Sequence, residues 1–202
     1  MSSAELFERC IGVGGVVVFP ADTVYGLACD PSNRVAVERL YALKRRPLGK
    51  PSAVMWFSLD FALAALDWLG PRVRDALTRL LPGQVSVLVG NPGRRFPLAC
   101  GGDVGTLGVR VPVVPVGSPL SGVSVPVLQS SANRAGGPEP ATLADVPEFL
   151  RSAADLVIDG GELPGTASTV IDLRAYESTG EWSVVRAGAV AESAVAAAIV
   201  GR

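Results

Sequence analysis

Gly15-Val16-Val17-Val18-Phe19-Pro20 runs directly into Ala21-Asp22-Thr23-Val24-Tyr25-Gly26-Leu27. The first stretch is apolar at every position up to Phe19 and centres on three β-branched valines. It reads as a strand over 15–19 that is buried on both faces, and such strands need helices or loops above and below them. Pro20 ends the run, and a polar loop follows. Asp22, Thr23 and Tyr25 therefore stand at the carboxyl end of a buried strand, where open α/β sheets bind ligands. An ordinary turn, closed by an Asx-type bond from Asp22, explains the same residues.

Working outward, 33–44 reads as a helix, with Val37, Leu40, Tyr41 and Lys44 at helical spacing and Ser32 or Asn33 as its cap. Further helices are predicted at 3–10, at 58–68 capped by Ser58, at 71–81 stopped by Pro82-Gly83, and at 192–199. Another runs over 142–153, opened by a capping box at Thr142-x-x-Asp145. Strands are predicted at 52–57, 85–89, 105–111, 123–129, 155–158, 168–173 and 182–186. The Gly- and Pro-rich stretch 91–102 is the longest irregular segment and is expected to be a mobile loop. The alternation is too irregular for a Rossmann or TIM pattern. The expectation is an α/β fold with a mixed sheet flanked by helices, in one domain over residues 1–202.

Composition narrows the chemistry. Hydrophobic residues make up 49% and charged residues 18%, enough to bury a sizeable core. There is no histidine, which removes imidazole metal sites and Ser-His-Asp or Cys-His nucleophile systems. Cys10, Cys29 and Cys100 form no CxxC pair and read as reduced thiols. A net charge of −1 argues against a protein that coats nucleic acid. The apolar run 11–19 is far short of the ~20 residues of a membrane helix. No signal-peptide pattern precedes it, so a cytoplasmic protein with no membrane contact is expected.

Of 18 basic residues, only Lys44 and Lys50 are lysines, and both fall in Lys44-Arg45-Arg46-Pro47-Leu48-Gly49-Lys50-Pro51. Basic residues at the end of a helix complement its dipole, and that alone accounts for some of them. Four cations within seven residues, stiffened by two prolines, exceed what a cap requires. A polyanion such as a triphosphate is the natural partner. Small hydroxyls and an amide cluster after the strand at 123–129, in Gln129-Ser130-Ser131-Ala132-Asn133, and hydroxyls recur in Ser168-Thr169. Such groups bind phosphates, carboxylates and bases without charge, and they also make routine turns. Arg110 and Arg186 each close a strand. Gly12-Val13-Gly14-Gly15 precedes its strand, so it is neither a P-loop nor a dinucleotide fingerprint. With neither a nucleophile system nor a metal cage, the pattern suits positioning and electrostatic stabilisation of a polyanion.

In order along the chain stand PADTVYGL (20–27), LKRRPLGKP (43–51), LPGQVSVLV (81–89), GTLGVRVP (105–112), SSANRAGG (130–137), STVID (168–172) and VVRAGAV (184–190). Each is weak alone. Together they resemble the YrdC/TsaC family over about residues 12–189. The resemblance implies a twisted α/β sheet around a concave basic cavity, without the added C-terminal domain of longer members. It also implies a nucleotidyltransferase that makes threonylcarbamoyl-AMP and pyrophosphate from L-threonine, bicarbonate and ATP, with Mg2+ accompanying the ATP. The product would pass to proteins that modify adenosine 37 of tRNA. By motif, Lys44 and Arg46 would be catalytic. Arg46, Lys50, Thr106, Asn133 and Arg186 would bind ATP. Thr23, Arg110, Ser131 and Ser168 would bind threonine, with Tyr25 as a cavity wall. The chain departs from the family at Ala21, Met55, Val113, Ala135 and Ala141, which leaves the choice of threonine over serine open. Two further readings stand beside this one: a paralogue acting on another carboxylate or amino acid, and a module that recognises tRNA or double-stranded RNA through the cations at 44–50.

Overall fold

The computed structural model describes residues 1–201; Arg202, the last residue of the expected domain, lies outside the described residues. The strands are β1 (Val17–Pro20), β2 (Tyr25–Cys29), β3 (Ala53–Met55), β4 (Val85–Gly90), β5 (Thr106–Arg110), β6 (Val127–Ser131), β7 (Leu156–Val157), β8 (Thr169–Asp172) and β9 (Ser183–Arg186). They form one mixed sheet in the order β7-β1-β2-β6-β3-β5-β4-β8-β9. The helices are α1 (Ser3–Gly12), α2 (Arg34–Leu43), α3 (Leu59–Ala65), α4 (Pro71–Leu80), α5 (Glu148–Ala153), α6 (Tyr176–Thr179) and α7 (Glu192–Val200).

Side chains alternate across a strand, and that alternation divides this molecule in two. Val16, Val18, Leu27, Val54, Val87, Leu107, Val109, Leu128 and Ile171 point to one face. There they meet Val37 and Leu40 of α2, Val73 and Leu77 of α4, and Val195 and Ile199 of α7 in the larger core. Their neighbours Val17, Phe19, Ala28, Met55 and Val127 point to the other face, where Phe7 and Ile11 of α1 and Leu120 and Val123 cover them in a smaller core. Phe7 and Phe19 pack edge to face at 5.7 Å. That second cover reaches only part of the sheet. Over β6, β3, β5, β4 and β8 the same face carries small and polar residues and borders a cavity.

The elements differ from the sequence reading in ways the residues explain. β2 lies where the sequence predicts a polar loop. Tyr25-Gly26-Leu27-Ala28-Cys29 contains Gly and Ala and shows little strand propensity. It pairs antiparallel with β1, Phe19 opposite Gly26, making a hairpin whose turn carries Asp22 and Thr23. A strand over 123–129 is replaced by Val127–Ser131, because Pro126 has no N–H to give a ladder. The helix over 142–153 divides: the Thr142–Asp145 capping box forms as expected but opens only a 3-10 turn, and α5 begins after Pro147. Asn33 caps α2, its Oδ1 accepting from Ala36 N at 3.1 Å, whereas Ser58 makes no side-chain cap bond. α6 had no expected counterpart. The 91–102 loop is tied internally. Buried Asn91 donates through Nδ2 to the Arg95 and Val104 carbonyls at 2.9 and 3.0 Å and accepts from Arg95 N at 3.0 Å. Among the described residues, no helix is long and apolar enough to cross a membrane.

Candidate functional site

The uncovered part of the sheet forms the floor of a cavity of about 440 Å3. The floor residues follow the strand period of two: Thr106, Gly108 and Arg110 on β5, Ser86 and Leu88 on β4, Gln129 and Ser131 on β6, and Ser168 and Val170 on or beside β8. Small side chains there leave the room that large ones fill on the opposite face. Gly108 sits tightly against its partner on β3, since a Cβ on it would lie 3.3 Å from Ala53 Cα. Gly108→Val is expected to fill the cavity floor and reduce ligand affinity on the order of a hundredfold while the molecule still folds. Titration calorimetry together with circular dichroism checks this.

Four arginines border the cavity, numbers 46, 110, 174 and 186, together with the carboxylates Asp103 and Glu139. Arg110 is almost fully buried. Its Nη2 donates to Asp22 Oδ1 at 2.6 Å and to Thr23 Oγ1, while its Nε has no partner. Asp22 Oδ2 accepts from Val113 N at 3.0 Å. The β1–β2 turn thus supplies a counter-ion that fixes one edge of the guanidinium and leaves another edge unsatisfied. Arg46 donates through Nη2 to the Pro51 carbonyl at 2.6 Å, lies 5.9 Å from the Tyr41 ring centroid, and also has an unpartnered Nε. Arg186 donates through Nη2 to the Ser168 carbonyl and hydroxyl. Burial lowers its affinity for its proton, with Glu139 opposing. This contact needs Gly188: a Cβ there would fall 2.4 Å from the Ala167 carbonyl oxygen. Arg174 clamps Asp172 and reaches Thr106 Oγ1 at 3.2 Å; that hydroxyl donates to Asp103 Oδ2 at 2.6 Å. The lining is rich in arginine but has carboxylates built into it.

The structure brings Arg46, Thr106, Arg110, Ser131, Ser168 and Arg186 to this cavity. Thr23 lies behind Arg110, fully buried, as a support. Tyr25 is not a wall: its hydroxyl donates to Asp159 and the Gly161 carbonyl, accepts from Gly160 N, and is pushed up to about 12 mainly by burial. Lys50 is exposed and outside the lining. Met55 packs in the smaller core beside Ala21, so the departures at those positions do not touch the cavity.

Lys44 is also away from the lining, only 1% exposed. Its Nζ donates to the Ser131 carbonyl, the Asn133 carbonyl at 2.8 Å and Asn133 Oδ1 at 3.1 Å. Three acceptors around one point suit the three donors of an ammonium and not a planar guanidinium, which accounts for lysine here in an arginine-rich chain. Asn133 is the other half of the clasp, donating to the Gly137 and Pro138 carbonyls. Burial first, then the charge of Arg46, brings the Lys44 amine down to about 8, with Glu139 opposing. An unfolded lysine titrates near ~10.4, so between about pH 8 and ~10.4 the unfolded chain holds the extra proton and folding gains stability as pH rises. The gain is on the order of 3 kcal/mol over that window. Lys44→Met lacks it, so urea unfolding of the two proteins should diverge in slope above pH 8.

Sequence reasoning gave no role to Arg174 or Glu139 and did not see Asp22 as a buried counter-ion. Gln129 stands in the polar cluster quoted from the sequence, and the strand period places it beside Ser131 on the cavity face.

The chain matches the family model Sua5_yciO_yrdC, described as "Telomere recombination", over residues 9–188. It is 35% identical over 167 residues to the threonylcarbamoyl-AMP synthase of Pseudomonas aeruginosa (strain UCBPP-PA14), covering 80% of the chain and 86% of that protein. Against the protein of the same name from Xanthomonas axonopodis pv. citri, identity is 37% over 151 residues, covering 73% and 80%. Among solved structures it is similar to Sua5 of P. abyssi complexed with L-threonine, with a TM-score of 0.83, 26% identity and 98% of the chain matched. The chain spans 57% of that Sua5. It is also similar to E. coli YciO, with a TM-score of 0.77 and 25% identity, covering 93% of this chain and 90% of that one.

Proposed function

The chain belongs to the Sua5/YciO/YrdC family, and from that premise we propose that it is a threonylcarbamoyl-AMP synthase. The observation that carries the reading is the convergence of Arg46, Thr106, Arg110, Ser131, Ser168 and Arg186 on one cavity, in a chain whose relatives carry that name. The reading treats the chain as one domain acting in the cytoplasm.

The substrates are L-threonine, bicarbonate and Mg2+-bound ATP. Threonine nitrogen and bicarbonate condense to a carbamate with loss of water. A carbamate oxygen then forms a bond to the α-phosphorus, the α–β bridging bond breaks, and pyrophosphate leaves. Arg46 and Arg186 hold phosphate oxygens and offset charge that develops there, with Thr106 alongside. Arg110 offers its unpaired edge to the threonine carboxylate. Ser131 and Ser168 supply hydroxyls to the substrates. Lys44 and Asn133 act one step back, fixing the 131–138 turn from which Ser131 and Glu139 are presented. The product is a mixed anhydride, fit to transfer its threonylcarbamoyl group to adenosine in tRNA through the proteins that use it.

The second reading is a paralogue that builds another acyl- or carbamoyl-adenylate. Pyrophosphate release from Mg2+ and ATP, with threonine, serine or bicarbonate omitted in turn, separates the two. The proposal expects release only when threonine and bicarbonate are both present. Release with another amino acid and none with threonine supports the paralogue.

A further inference from the structure

Glu139 stands out among the cavity's carboxylates. Asp103 accepts from Thr106 and from Gly105 N, whereas Glu139 Oε2 is shut off from solvent and accepts nothing. Among the described residues no ion pair includes it, although its charge is felt by Lys44 and Arg186. Its backbone is held on both sides. The Pro138 carbonyl accepts from Asn133 Nδ2 at 3.0 Å, and the Pro140 carbonyl accepts from Tyr25 N at 2.9 Å. A carboxylate with an unsatisfied oxygen, on backbone held at both neighbours and beside the arginines assigned to phosphate, repels a bare triphosphate. A divalent cation between them removes the conflict. Mg2+ commonly takes one or two carboxylates and completes its shell with phosphate oxygens and water.

We propose that the Glu139 carboxylate is the protein's ligand to the magnesium ion carried on the phosphates of ATP. The assignment rests on the reading that this cavity binds ATP. It makes the site selective for the metal complex over free ATP, because the same carboxylate that holds the metal opposes the bare polyanion.

The test is calorimetric titration of ATP into the wild-type chain and Glu139→Gln, each in Mg2+ and in EDTA, with 2′-deoxy-ATP as a control. Wild type should bind ATP more tightly in Mg2+. Glu139→Gln should lose affinity on the order of tenfold in Mg2+ and lose none in EDTA. With Mn2+ as the probe, the paramagnetic spectrum of the ternary complex should differ between the two proteins. Should the glutamine variant not fold, Glu139→Asp serves in its place, with a reduced but measurable metal preference. Equal weakening in both buffers, matched by a loss with 2′-deoxy-ATP on wild type, marks a ribose contact and overturns the metal role. Unchanged binding in both buffers overturns it as well. If wild type binds ATP in neither buffer, the functional reading itself fails, and this assignment with it.

Discussion

Arg110→Ala is expected to raise the KM for threonine on the order of a hundredfold and to destabilise the fold by about 3–5 kcal/mol. Both effects come from one side chain. On its fixed edge, Arg110 pairs with Asp22, each side chain about 95% buried. Removing the arginine strands a carboxylate in the interior, and an uncompensated buried charge is among the costliest single changes. Its Nε is buried without a partner, and the residue lines the cavity, where a substrate carboxylate would gain a charge-assisted bond. The double variant Arg110→Met with Asp22→Leu separates the effects. It should recover much of the stability, because no lone charge remains, but none of the threonine affinity. Urea unfolding and steady-state kinetics at saturating ATP read the two quantities. An unchanged KM for threonine in Arg110→Ala contradicts the assignment.

Arg46→Ala and Arg186→Ala should each weaken ATP binding on the order of ten- to a hundredfold with little loss of stability, since neither guanidinium has a carboxylate counter-ion within 4 Å among the described residues. Arg46 is held over the cavity by the Pro51 carbonyl and the Tyr41 ring. Its neighbour two residues back, Lys44, points into the protein instead. Lys50→Ala serves as the contrast: exposed and off the lining, it should change affinity by less than about threefold, an effect that salt screens further. Titration of ATP into the three variants checks the ranking. Lys50→Ala weaker than Arg46→Ala would mean that the phosphates lie outside the cavity.

Much of the architecture was legible. The apolar run at 15–19 gave a doubly covered strand, and the periodic helices α2 and α4 fell close to their predicted positions. Pro126 and Pro147 moved two boundaries because a missing N–H and a restricted neighbour outweigh hydrophobic pattern. The cavity floor was present in the alternation Thr106-Leu107-Gly108-Val109-Arg110, which reads as one packed face and one small or polar face once the strand is placed. The scarcity of lysine singled out Lys44, which is buried off the cavity, and Lys50, which is exposed off its lining. Lys44 satisfies three carbonyl oxygens that sequence does not reveal. Asp22 was unreadable as a counter-ion because it meets Arg110 from 88 residues away, across strands brought together only by the sheet order.

The most direct test of the central claim is the mass of the nucleotide product formed from ATP, Mg2+, L-threonine and 13C-labelled bicarbonate. The account predicts an AMP adduct that contains threonine and one carbon from the bicarbonate, shifted by one mass unit when the label is used, and formed more slowly by Arg110→Ala at threonine below its raised KM. An AMP adduct of threonine that takes no label, or a labelled adduct that forms equally well without threonine, would contradict it.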